Sequence, residues 1–119
     1  MATAVKRKLS GSTNGRGIKV VATSTLGTTI HTAVAGTTAG TFDEVWLWAY
    51  NSDTVARLLT IEFGGVTVPD DNIKVTVTAQ TGLMLVVPGL ILQNAVVVTA
   101  FAAAANVVTI QGFVNSITD

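Results

Sequence analysis

Residues 42–51 read FDEVWLWAYN, a pattern that predicts a β-strand. Successive side chains of a β-strand point to opposite faces of its sheet. One face would therefore carry Val45, Leu47 and Ala49, and the opposite face two tryptophans and a tyrosine. A strand in a two-layer antiparallel fold normally shows one face to water. Because both faces are apolar here, the stretch predicts a strand with a second buried surface.

Short apolar runs of similar length recur along the chain between turn residues. The β-branched residues Val and Thr, which favour strands, number 18 and 19, and 11 glycines supply turns. No segment keeps the 3.6-residue period of a helix. The predicted strands are 18–23, 28–35, 42–51, 55–64, 72–78, 82–87, 95–102 and 107–115. About eight strands at this spacing predict an all-β domain, built as a β-sandwich, a jelly roll or a small barrel.

Length and composition set further limits on the fold and its surface. A chain of 119 residues is long enough for one domain with one core. It has no Cys, which excludes a disulfide framework and a thiolate metal site. Only 12% of its residues are charged, against about 25% in ordinary soluble domains. So low a charge favours a surface that is largely covered, and we expect a homo-oligomer or a larger assembly.

Charge is divided unevenly between the beginning of the chain and the rest. Residues 1–20 hold five cations and no carboxylate, whereas residues 21–119 hold two cations and seven carboxylates. We interpret residues 1–17 as a basic arm, flexible or ordered by a partner, and residues 18–119 as the β domain. The candidate partner-binding residues are Lys6, Arg7, Lys8, Arg16 and Lys19. They could meet an acidic protein surface or phosphates, and a tail that only aids solubility is the alternative.

Nucleic acid is the weaker interpretation of the arm, because aromatic residues do not accompany its cations and the rest of the chain is acidic. A secretory signal is not predicted either, since the basic residues are followed by the polar stretch 10–15 instead of an apolar one. Residues 75–118 carry no charge, but Pro88-Gly89 and several amide side chains interrupt the most apolar window. Buried strands are therefore preferred to a transmembrane helix, and no membrane partner is expected.

The residue combinations that catalysis needs are missing. His31 is the only histidine, and in a predicted strand it is expected to be a packed or surface residue. Without a second histidine or a cysteine the common zinc sites cannot be built. The chain contains Ser, His and Asp residues, but it has no Gly-x-Ser-x-Gly elbow that would indicate a Ser-His-Asp triad. The glycine-rich residues 11–17 do not form a phosphate-binding loop pattern. We expect no enzymatic activity, no catalytic residue, no metal and no cofactor.

Two pairs of adjacent carboxylates require separate comment. Asp43 and Glu44 are neighbours in a predicted strand, so they point to opposite faces and are poorly placed to share one substrate or proton. The sequence Pro69-Asp70-Asp71-Asn72 is typical of a β-turn. A calcium site there is less favoured, because the alternating Asp/Asn loop that ends in Glu is absent.

Five stretches together resemble a known group of proteins. They are residues 29–33 (TIHTA), 42–51 (FDEVWLWAYN), 59–65 (LTIEFGG), 85–92 (LVVPGLIL) and 106–118 (NVVTIQGFVNSIT). In these strand and turn patterns, over about three-quarters of the chain, it resembles small virion proteins of tailed bacteriophages that decorate or cement the head. The resemblance contains no chemical motif, so no binding residue is carried over from it.

The resemblance implies a compact β module, with a trimer favoured, that binds a capsid lattice and clamps neighbouring capsomers without doing chemistry. The implied partner is the major capsid protein or another virion subunit, and the implied location is a virion assembled in the host cytoplasm. Two alternatives stay open. One is a phage tail or fibre module that binds a receptor or a neighbouring subunit. The other is a small β-barrel nucleic-acid-binding protein that uses the basic arm.

Overall fold

Nine β-strands account for the regular structure of residues 2–119, which the computed structural model describes. They form two antiparallel sheets. Sheet A has the strand order β1-β9-β4-β7, with β2 also paired to β9, and sheet B has the order β3-β8-β5-β6. The strands are β1 (Thr3–Lys8), β2 (Ile18–Lys19), β3 (Thr28–Thr32), β4 (Phe42–Asn51), β5 (Arg57–Phe63), β6 (Asn72–Val77), β7 (Met84–Leu92), β8 (Val97–Ala102) and β9 (Val108–Thr118).

Strand β4 lies inside sheet A, paired with β9 over its whole length and with β7 on its other side. Its side chains Val45, Leu47 and Ala49 are completely buried in the core, as their alternation predicts. Sheet B contributes Leu59 and Ile61 of β5 to the same core, and both are also completely buried. Removing one such leucine or isoleucine from water stabilises the fold by about 1.5–3 kcal/mol. The core therefore fixes which face of β4 points inward.

The all-β prediction is confirmed, and the two sheets make the domain β-sandwich-like. Several strand bounds differ from their predictions, most clearly β2, which ends at Lys19 instead of residue 23, and β7, which ends at Leu92 instead of residue 87. Strand β7 continues through Pro88-Gly89, which lies beyond the predicted strand 82–87, because a register shift against β4 and the positive φ of Gly89 accommodate the pair. In residues 2–119 the structure contains no helix with the length and apolar character needed to cross a membrane.

The predicted arm at residues 1–17 needs correction. Residues Thr3–Lys8 form β1, which pairs antiparallel with β9 along six residues, and Leu9 is 1% exposed within the core. Strand pairing and burial of Leu9 stabilise this segment against its loss of conformational entropy. All six side chains of β1 are exposed, so the strand shows no alternation of buried and exposed residues that the sequence could have revealed. Met1 lies outside the described residues.

The outer face of sheet B is covered by the chain itself at Glu62. This β5 side chain is 1% exposed, and its carboxylate accepts three hydrogen bonds. The donors are Thr25 Oγ1, the backbone N–H of Gly27 and Thr99 Oγ1, at 2.6–2.8 Å. Burial alone would raise the pKa of Glu62, but the bonds from Thr99, Gly27 and Thr25 outweigh it and lower the pKa below its ordinary value. The β2–β3 connection is thereby held on sheet B.

Replacing Glu62 by Gln should destabilise the fold at neutral pH by about 1–3 kcal/mol, since a charged acceptor of three hydrogen bonds is lost. The folded-state pKa of Glu62 is lowered, so its contribution is present above the unfolded pKa of about 4.3 and is lost as pH falls through the folded value. Urea unfolding at pH 7 and at progressively lower pH should show the difference between Glu62→Gln and wild type shrinking with acid. Asp70→Asn, at an exposed turn position, is the control. A difference that grows with acid would contradict this assignment.

Candidate functional site

The outer face of sheet A carries a cluster of three aromatic side chains. Trp46 and Trp48 point outward from β4 because their neighbours point into the core, and Phe113 stands directly opposite Trp46 on β9. Ring centroids are 6.3 Å apart for the two tryptophans, 6.4 Å for Trp46 and Phe113, and 5.9 Å for Trp48 and Phe113. The ring planes differ by only 18–29°. All three side chains are partly exposed, and we call this set the aromatic cluster.

Two neighbours position the indole of Trp46. Its Nε1 donates to Glu44 Oε1 at 2.7 Å, and Asn115 Nδ2 donates to the same oxygen at 3.1 Å. These bonds, that from Trp46 first, lower the pKa of Glu44 below its ordinary value against the opposing effect of burial. On the other side the indole lies against Gly89 of β7, where an added Cβ would come within 2.7 Å of Trp46 Cζ2. A carboxylate and a glycine thus hold the ring in place.

Three of the predicted partner-binding cations lie on the same outer face of sheet A as the aromatic cluster. Lys6 and Lys8 of β1 pair with outward-facing residues of β9, and Lys19 of β2 pairs with Thr109 farther along the same strand. Lys6 Nζ lies 4.2 Å from the ring centroid of Phe113, a cation–π distance. The expectation that aromatic residues do not accompany the cations is therefore wrong. Phe113 and Lys6 lie at opposite ends of the chain, and only the β1–β9 pairing brings them together.

The other two predicted cations lie elsewhere. Arg7 alternates with Lys6 and Lys8 along β1, so it belongs to the opposite face of that strand, where it lines a cavity. Arg16 is exposed in the loop before β2, and its backbone carbonyl accepts a hydrogen bond from Ser12 Oγ at 2.7 Å. The five residues thus do not form one patch. The structure places Lys6, Lys8 and Lys19 on the outer face of sheet A and Arg16 in a loop, and both Arg7 and Lys8 line the cavity.

Large apolar residues of β7 extend the outer face of sheet A beyond the aromatic cluster. The register pairs Leu85 with Trp48, Pro88 with Trp46 and Ile91 with Glu44. Leu85 is 46% exposed and Ile91 is 55% exposed. Contiguous apolar side chains at the surface are typical of sites where another molecule docks.

His31 and Asp43 form a buried pair between the sheets. His31 Nε2 lies 2.7 Å from Asp43 Oδ2, and both residues are 4% exposed. The backbone N–H of Ser10 donates to His31 Nδ1 at 3.0 Å, and that of Val34 donates to Asp43 Oδ2 at 3.1 Å. Nδ1 is an acceptor here, so the ring proton is on Nε2 and is donated to Asp43. This chain of bonds links the segment after β1 to one strand of each sheet.

The pair differs from the arrangement of a Ser-His-Asp triad. Both nitrogens of His31 already have partners, and Ser10 Oγ accepts a bond from the backbone N–H of Thr32 at 2.7 Å. The prediction that His31 is a packed or surface residue agrees with its burial. Sequence reasoning missed Asp43 as its partner, because twelve residues and a change of sheet separate the two.

The two pairs of adjacent carboxylates lie in the predicted elements, one pair in a strand and the other in a turn. Asp43 points inward and Glu44 outward, as the strand alternation predicts. Pro69 O accepts a bond from the N–H of Asn72 at 3.3 Å, which closes the predicted turn. Over residues 2–119, no group of three or more His, Cys, Asp or Glu side chains comes together in a way that could hold a metal ion.

Comparisons of the chain with protein-family models, with curated protein sequences and with solved structures found no match.

Gly89→Ala should disturb the indole of Trp46, whereas Gly82→Ala should not. Both glycines have a positive φ near 80°, so each substitution carries a similar backbone strain of about 1–2 kcal/mol. At Gly82 an added Cβ meets nothing within 4 Å. Chemical unfolding should show Gly89→Ala to be less stable than Gly82→Ala by about 1–3 kcal/mol, and only Gly89→Ala should change the tryptophan emission. Equal losses with unchanged emission in both would refute the proposed contact.

His31→Ala should destabilise the fold by about 1–3 kcal/mol, because it leaves the carboxylate of Asp43 short of a donor. In an Asp43→Asn background the same substitution should cost less, since a neutral amide is then left behind instead of a charge. A double-mutant cycle measured by urea unfolding gives the loss of stability caused by His31→Ala in each background. A loss for His31→Ala that is the same in both backgrounds would mean that the pair is not coupled.

Proposed function

We propose that the protein is a non-enzymatic virion structural protein that docks on a phage capsid and stabilises it, with the outer face of sheet A as its docking surface. The observation that carries this proposal is the aromatic cluster of Trp46, Trp48 and Phe113, partly exposed and continued by Leu85 and Ile91. Tryptophan and other large side chains supply most of the binding energy at protein interfaces. The resemblance to head-decorating proteins supplies the identity of the partner.

The unequal outer faces of the two sheets support a specific docking side. In sheet B the central outward residues Thr60, Glu62 and Thr99 are 1–3% exposed. In sheet A the central outward tryptophans stay partly exposed. The chain covers the centre of one outer face with its own residues and leaves large aromatic residues accessible at the centre of the other, which favours contact through the second face.

The proposed partner is the major capsid protein or another virion subunit, and the proposed form is a homo-oligomer, with a trimer favoured. A strand apolar on both faces is typical of assemblies in which subunits cover one another. A tail or fibre module would use the same face on a neighbouring subunit or a receptor. Copy number in purified particles distinguishes the two, because hundreds of copies indicate the shell and a few to tens indicate the tail.

A second candidate function has one observation in its favour. Lys6 lies over Phe113, and Lys8 and Lys19 lie on the same face of sheet A. Single-stranded nucleic acids bind surfaces that combine cations with stacked aromatic rings. Glu44 argues against it, because its carboxylate lies within the aromatic cluster and repels phosphate. Binding of a labelled oligonucleotide that weakens steeply with salt would favour this candidate.

The docking surface can be tested with Trp48→Ser. We expect occupancy on capsids assembled without the chain to fall by a factor of about 30 or more, as for a central interface residue. Leu26→Ser is the matched control, because Leu26 is 67% exposed and lies in the segment held on sheet B. Binding is measured by co-sedimentation, with circular dichroism to verify the fold.

Equal occupancy for Trp48→Ser and wild type would contradict the assignment of the outer face of sheet A. Equal losses for Trp48→Ser and Leu26→Ser would also contradict it, since attachment would then not be confined to that face.

A further inference from the structure

Strand β1 has one free edge. Among the described residues it pairs with β9 alone, so the backbone N–H and C=O groups on its other side have no strand partner. All six of its residues are exposed. Such an edge is a template on which a further extended segment can pair.

The charge of β1 restricts what can pair there. Lys6, Arg7 and Lys8 are consecutive, and the strand carries no carboxylate. A second copy of β1, paired antiparallel, would bring these cations close to one another, and like charges across strands are destabilising. An extended segment with acidic side chains is complementary to this edge.

A cavity of about 490 Å³ lies beside β1 and is bounded by residues of both sheets. It is large enough for the side chain of an aspartate or glutamate. Its walls carry one guanidinium, one ammonium group, one imidazole, several hydroxyl groups and one buried carboxylate. The lining residues that matter are Arg7, Lys8, Ser10, Thr32, Asp43 and Ser116.

Asp43, which lines this cavity, has one side-chain acceptor without a partner. Its Oδ2 accepts bonds from His31 and Val34, whereas its buried Oδ1 has no hydrogen-bond partner. A buried acceptor left unpaired is unfavourable, so a donor brought in by a ligand would bind there. The cavity thus offers a cation for a carboxylate and an acceptor for an N–H group, and a peptide with acidic side chains carries both.

We propose that the free edge of β1 and this cavity form a groove that binds an extended acidic segment of a partner protein. The backbone of the segment pairs with β1, one of its carboxylates pairs with Arg7, and an N–H group donates to Asp43 Oδ1. A nucleic acid fits less well, because its sugar–phosphate backbone lacks the alternating N–H and C=O groups that pair with the edge of a strand. The inference rests on the proposed function only in that the partner is a protein, and it uses a surface separate from the aromatic cluster.

The test uses the whole chain and three eight-residue peptides with capped ends, in which Val alternates with Glu, Gln or Lys. Amide chemical shifts of the labelled protein are followed by NMR during titration. We expect the Glu peptide to shift the amides of β1 and to bind at least about tenfold more tightly than the Gln peptide, with the Lys peptide not binding. The affinity of the Glu peptide should fall as salt is raised.

Two variants locate the contacts. Arg7→Gln should weaken binding of the Glu peptide by about fivefold or more, whereas Lys74→Gln, at an exposed cation of β6, should leave it unchanged. Asp43→Asn keeps an acceptor for His31 and Val34 and replaces the unpaired oxygen by a donor, so it should also weaken binding while the fold is retained.

The proposal is overturned if Arg7→Gln and Lys74→Gln bind the Glu peptide equally, if the shifted amides lie around Trp48 instead of β1, or if an oligothymidine displaces the peptide from β1. Trp48→Ser distinguishes this proposal from the docking surface on sheet A. It should leave peptide binding unchanged, so loss of capsid occupancy and loss of peptide binding are separate results.

Discussion

Strand β4 has two apolar faces, and only one of them can lie in the core. Its ten residues are paired with β9 in one continuous register, so the direction of each side chain follows from the burial of Val45, Leu47 and Ala49. The same register turns Trp46 and Trp48 outward. A shift by one residue would place both indoles in the core and expose the aliphatic side chains, which the close packing of a protein interior does not tolerate.

The polar groups are arranged around this constraint. On the inner side of β4, Asp43 bonds to His31 and ties sheet A to sheet B. On the outer side, Glu44 bonds to the indole of Trp46 and keeps the ring in place. Glu62 holds the β2–β3 connection over the other sheet, so the two outer faces of the sandwich differ in what they expose. The proposed division of roles, with structure on sheet B and contact on sheet A, follows from that difference.

The sequence was sufficient to predict those elements whose pattern lies in neighbouring residues. Alternation identified β4 with its bounds and the direction of its side chains. The sequence did not predict the features that depend on pairing between distant segments of the chain. Strand β1 is exposed throughout and exists because β9 pairs with it, and the aromatic cluster is completed by Phe113 from that same distant strand. The bond between His31 and Asp43 crosses between sheets, so no spacing in the sequence encodes it.

We propose that contact with a larger assembly occurs through the outer face of sheet A. Hydroxyl-radical footprinting read by mass spectrometry tests it on the unmodified protein, free and bound to particles. We expect oxidation of Trp46 and Trp48 to fall strongly on binding, while oxidation of Leu26 and Val68, which are 67% and 66% exposed, stays unchanged. Protection of Leu26 and Val68 with both tryptophans still fully reactive would contradict it.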